Sequence, residues 1–202
     1  MPGACRINRS TPDLKFLFNC GSILLTALFL CILPSKGYPS VKEINAILTK
    51  AYGEEVAREC SDYYSGLNIP EDKAPSIKDA VERLVEAGYP SGCPIEYLKV
   101  AAALSRAGIE FGDLTNKIRE GIAKKVEPAR LIRVIIQRAE ALQEARVVVL
   151  NLEEADVEFL DRQMAYSVIA DYLLRGISRG PIVEKVSQGD LSSYPALENL
   201  IR

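Results

Sequence analysis

From Ser40 onward, apolar residues recur every third or fourth position in a series of short stretches, and glycine or proline closes nearly every stretch. A side chain returns to the same side of an α-helix at that interval, whereas a half-buried strand alternates. The pattern commits this part of the chain to amphipathic helices, each of which must bury its apolar stripe against another.

Ser40-Val41-Lys42-Glu43 has the Ser-x-x-Glu form of a capping box, with Ile44, Ile47, Leu48 and Ala51 following at helical spacing. Gly53 turns the chain into a second stretch with Val56, Cys60, Tyr63 and Tyr64, ending near Gly66. Of the two adjacent tyrosines, one is expected to pack inward and one to face out. Residues 67–75 carry two prolines and form a connector. Ser76 caps a third helix with Ile77, Val81, Leu84 and Val85, closed by Gly88. Pro94 suits the first position of a fourth, carrying Ile95, Leu98, Ala101, Ala102 and Leu104 up to Gly108. A fifth starts near Asp113, carries Leu114 and Ile118, and ends at Gly121.

Pro128 opens the longest segment, with Ile132, Ile135, Ala139, Leu142, Ala145 and Val149 on one face. Val147-Val148-Val149-Leu150 is β-branched enough for a strand, but no second strand is at hand to pair with it, so it is read as helix. A further helix carries Val157, Leu160, Met164, Val168, Tyr172 and Leu173 up to Gly176. Pro181 and Pro195 open two short terminal helices, separated by Gly189.

Leu84-Val-Glu-Ala-Gly88-Tyr89, Leu104-Ser-Arg-Ala-Gly108-Ile109, Leu173-Leu-Arg-Gly176-Ile177 and Ile118-Arg-Glu-Gly121-Ile122 resemble one another. Each reads as a helix end, with a left-handed glycine and an apolar residue folded back onto the last turn. Their irregular spacing fits repeated use of one cap better than a named solenoid repeat. The expected fold is all-α: a compact multi-helix bundle or short α-solenoid of about seven to nine helices, sequential neighbours joined by short connectors.

The first 37 residues differ. Arg6, Arg9 and Lys15 make the start basic, Ile23 to Leu33 carries no charge, and Ser35 and Gly37 are small residues placed for cleavage after Gly37. These are the parts of a secretory signal peptide. The alternative is an uncleaved inner-membrane anchor over residues 16–33, at the short limit for a span; Cys31 is a weak site for lipid attachment, since Leu30 precedes it. The expected organisation is 1–37 as signal peptide or membrane anchor and 38–202 as a single all-helical domain, exported to a periplasm or secreted. Without residues 1–37 the chain has 21 basic and 26 acidic residues, a net charge of −5. That lacks the basic footprint of a nucleic-acid binder.

Cys5, Cys20 and Cys31 fall in the leader, leaving Cys60 and Cys93. Two thiols in an oxidising compartment tend to pair, and such a bridge would stabilise by roughly 3–4 kcal/mol. Burial of both as free thiols is the competing arrangement.

Histidine is absent, which removes Ser–His and Cys–His pairs and histidine zinc sites. There is no GxxxxGK[ST], GxGxxG or GxSxG sequence. No catalytic, cofactor-binding or metal-binding residue is therefore assigned. Glu153, Glu154, Asp156, Glu158 and Asp161 crowd one stretch, which reads as a solvated cap at a helix start, where negative charge suits the macrodipole. Before it, Lys117, Arg119, Lys124, Lys125, Arg130, Arg133 and Arg138 oppose only Glu120 and Glu127. Lys117, Arg119, Lys124, Lys125, Arg130 and Arg133 are the candidate patch for an anionic partner; an ordinary solvated face is the plainer reading. The function expected is a noncatalytic helical adaptor of the cell envelope with an envelope protein as partner, touching membrane only through an uncleaved leader. A carrier of an apolar ligand or lipid, and a histidine-independent envelope enzyme, are the alternatives.

Overall fold

The structure, a computed structural model, describes residues 39–65 and 74–201. The leader, its three cysteines and most of the 67–75 connector lie outside these residues. The described residues form nine helices: α1 Pro39–Tyr52, α2 Glu54–Ser65, α3 Ala74–Glu86, α4 Gly92–Arg106, α5 Gly112–Ala123, α6 Pro128–Glu154, α7 Arg162–Leu174, α8 Arg179–Ser187 and α9 Pro195–Glu198. The all-α expectation holds for them, and Val147–Leu150 is helical within α6. Extended pairing among them is confined to one isolated bridge between Phe159 and Ile201.

Helices pack on the next helix in sequence or the next but one. α3 lies between α1 and α5, while α4 lies between α2 and α6, so odd and even helices form two adjoining rows. α6 is the long member that also receives α5, α7 and α8. Its buried stripe is Leu131, Ile135, Arg138, Leu142, Ala145, Val149 and Leu152. Steps of four and three residues keep a stripe on one side of a helix over many turns. The core is aliphatic, with Tyr64, Tyr97 and Tyr172 buried in it. Tyr64 packs inward and Tyr63 is partly buried against the same core. At the C-terminal end Tyr172 meets Tyr194 edge to face, ring centres 5.2 Å apart.

Six helix ends share one backbone pattern. After α3, Tyr89 N donates to Leu84 O and Gly88 N to Val85 O. The same pair of bonds closes α4 at Gly108, α5 at Lys125, α6 at Asp156, α7 at Gly176 and α8 at Gly189. This is the Schellman arrangement, in which a left-handed residue lets two orphan carbonyls find donors. The glycines at 88, 108, 176 and 189 have φ between 71° and 87°, as that conformation requires. Lys125 and Asp156 adopt it without being glycine, at φ 52° and 63°.

Several expected boundaries move. α5 does not end at Gly121: that glycine is buried inside the helix, and Lys125 makes the turn. Gly121 lacks a side chain because α6 lies against it; a Cβ there would fall 2.5 Å from Leu131 Cδ1. α1 starts at Pro39 and α3 at Ala74, so Ser40 and Ser76 fall inside the first turn rather than at the cap. α7 starts only after Asp161 and buries Ala165, Tyr166, Ile169, Ala170 and Tyr172. Leu160 and Met164, expected on its inner face, are 57% and 54% exposed.

Candidate functional site

Arg138 belongs to the basic stretch by composition, yet it is 4% exposed. It occupies a stripe position of α6 between Ile135 and Leu142, so the helix carries it inward. Its Nη2 donates to Asp113 Oδ2 of α5 at 2.5 Å and to Ser167 Oγ of α7 at 2.9 Å. Nη1 donates to Asp171 Oδ1 of α7 at 2.6 Å, and Ser167 Oγ donates to Asp113 Oδ2 at 2.7 Å. Arg138 Nε has no partner among the described residues. Burial alone pushes the Asp113 carboxyl up; Arg138 and Ser167 outweigh it and hold the group below its ordinary range. A general acid needs the opposite shift; the hydrogen bonds of the cluster join α5, α6 and α7. An arginine in phase with an apolar stripe was the sequence signal for it, and a plain count of charges hides that signal.

The six cations of the candidate patch do not act as one group. Arg119 turns to α3, where its Nε donates to Asp79 Oδ2 at 2.9 Å, and Arg83 holds the other Asp79 oxygen at 2.8 Å. Lys117 and Lys124 both reach Glu120, at 3.2 and 2.6 Å. Hydrogen bonds from Lys124 and Lys117 hold the Glu120 carboxyl below its ordinary range. Lys117, Lys124 and Arg130 come together around a cleft of about 390 Å³ between α5 and α6. Val126, Leu131 and Val134 contribute its apolar lining, and Glu120 is its one acidic residue. Lys125 lines an adjoining hollow with Tyr89 and Glu127. Arg133 is exposed on α6 and does not line the cleft. Glu127 caps α6, accepting from Ala129 N at 3.1 Å and Arg130 N at 3.0 Å, which fixes the backbone of Arg130.

Cys60 and Cys93 are buried free thiols in the structure, on α2 and in the first turn of α4. Burial, then Glu59 for the first and Glu127 for the second, pushes each thiol up to about 11. Burial, then Cys93 and Cys60, raises the Tyr52 hydroxyl, so both sulfurs lie near one phenol. Tyr52 donates to Tyr89 O at 2.5 Å, and Tyr89 donates to Val126 O at 2.6 Å. This relay ties the end of α1 to the α3–α4 and α5–α6 turns. Thiols held this far toward the protonated form are poor nucleophiles.

The acidic stretch is not one helix start. Glu153 and Glu154 close α6, where negative charge opposes the macrodipole, and Asp161 alone caps α7, accepting from Met164 N at 3.0 Å. Glu153 pairs with Arg162 at 2.5 Å. No group of three metal-ligating side chains is placed to hold a metal ion among the described residues. No helix among them is long and apolar enough to cross a membrane. No protein-family model, no curated protein and no solved structure matches the chain.

Proposed function

We propose that the chain is an exported, noncatalytic helical adaptor that docks an acidic amphipathic segment of an envelope protein in the α5–α6 cleft. The observation behind this reading is the composition of that cleft: Lys117, Lys124 and Arg130 around Val126, Leu131 and Val134, with Glu120 the single opposing charge. Carboxylates would be drawn to the cations, and an apolar side chain between them would displace water from the cleft lining. Val134 is 37% exposed and gains burial when the cleft fills.

The test is crosslinking in the producing cells, followed by affinity capture and mass spectrometry. A discrete partner joined through Lys117 or Lys124, and lost in Lys124→Glu/Arg130→Glu, is the expected outcome. A partner captured equally well by that variant would place docking elsewhere and end this reading.

Export carries a second expectation, a bridge between Cys60 and Cys93. The intact mass of the protein from its native compartment should then be lower by two hydrogens than after reduction. An unchanged mass would leave both as buried thiols.

A further inference from the structure

Beyond the Glu127 cap, the charges at the two ends of α6 run against its dipole. Its first turn holds Arg130 and no acid, and its last turn holds Glu153 and Glu154 and no base. Such placement disfavours a helix by about 0.3–1 kcal/mol per exposed charge, which the Glu127 cap and the Glu153–Arg162 pair offset only at those two residues. Residues 117–133 carry six cations against two carboxylates, and residues 153–162 carry five carboxylates against one arginine. α6 has 27 residues, which sets the two regions about 40 Å apart at 1.5 Å per residue.

The acidic end also presents apolar side chains on a fixed backbone. Leu160 and Met164 are the most exposed large apolar residues described, at 57% and 54%. Leu160 N donates to Leu200 O at 2.9 Å, Met164 N is held by Asp161, and Asp156 closes the α6 cap. A segment ordered in advance loses little entropy on docking. Glu154, Asp156 and Leu160 are each exposed, and Asp156 and Leu160 line one open hollow.

We infer that the acidic segment received by the α5–α6 cleft is residues 154–164 of a second copy of this chain. This rests on the docking reading of that cleft and names its occupant. Leu160 meets the Val126, Leu131 and Val134 lining, and Glu154 and Asp156 meet Lys124 and Arg130. The two surfaces differ, so the contact is heterologous, and each added copy leaves one cleft and one acidic end open unless a ring closes.

Sedimentation equilibrium of the chain purified from the producing cells tests this at about 0.01 M and about 1 M salt, where the screening length falls from about 30 to about 3 Å. The weight-average mass should climb with concentration at low salt and return to the monomer at high salt. Two variants then exchange the charges: Lys124→Glu/Arg130→Glu and Glu154→Lys/Asp156→Lys. Lys125 already holds a lysine at φ 52°, so the left-handed position of Asp156 accepts one. Each variant alone should stay monomeric while keeping its helical circular dichroism, and an equal mixture should associate again. A wild type that stays monomeric at low salt, or variants that associate as it does, overturns the inference. If the wild type is monomeric but the cleft variant alone loses a captured envelope protein, self-docking falls and the docking reading stands. If the wild type associates and the cleft variant does so equally, self-docking in the cleft falls, and the docking reading falls with it only when that variant also captures the envelope protein as well as the wild type does.

Discussion

A guanidinium that is 4% exposed has given up water, and its cost depends on what replaces that water. Around Arg138 the replacements are Asp113, Asp171 and Ser167. Removing one member of a buried pair costs about 3–5 kcal/mol. Asp171 is 55% exposed, so it contributes less than Asp113. Arg138→Ala should therefore destabilise by about 3 kcal/mol and Asp171→Asn by less than about 1. Arg138→Met/Asp113→Asn, which removes both charges and refills the volume, should recover most of the loss in urea unfolding. A double variant no more stable than Arg138→Met would refute the pairing account. The pH dependence has a fixed sign. The folded-state pKa of Asp113 lies below its unfolded value, so its contribution is complete above the ordinary carboxylate range and is lost as pH falls through the lowered value. Asp113→Asn should flatten the decline of urea midpoints below about pH 4.

At the scale of elements, six caps of one type bear on stability through their left-handed residue. A non-glycine side chain there costs about 1 kcal/mol or somewhat more. Lys125→Gly should therefore raise stability by about 1 kcal/mol, and Gly108→Ala should lower it by a similar amount. Thermal unfolding checks both, and a destabilised Lys125→Gly would mean that its side chain holds the α5–α6 turn. The caps at Gly88, Gly108 and Gly176 were legible because glycine marks them. Those at Lys125 and Asp156 carry no such mark, and Gly121 offered a false one. A glycine without its surroundings does not distinguish a left-handed turn from a close approach by Leu131.

For the whole molecule, the two rows of helices place Cys60 and Cys93 where reagents reach them only by opening the core. With both thiols pushed up to about 11, the thiolate fraction near neutrality falls by about a hundredfold or more against a free cysteine. Reduced native protein should react with a thiol reagent at least that much more slowly, and denaturant should release both cysteines together. Fast native labelling of either would show that the α2–α4 packing opens locally. The same packing decides the charge pattern. It ties Arg119 to Asp79 of α3 and gathers Lys117, Lys124 and Arg130 around one cleft.

The sequence by itself determined the all-helical class, the order of the helices and most of their glycine ends, because periodicity and left-handed turns are local properties of the chain. It marked the cations of residues 117–133 as one candidate patch, which the packing divides between Asp79, the α5–α6 cleft, the adjoining hollow and open solvent. Only the tertiary structure decided which charges face which partners. Arg138 leaves the surface set because its stripe turns inward. Leu160 and Met164 leave the core because α7 begins after Asp161 and its buried face centres on Ala165, Ile169 and Tyr172, with Val168 and Leu173 at its edge. The stretch around Glu153 divides between two helix ends. Each of these depends on the rotation of one helix against another, which is set by packing across residues distant in the chain.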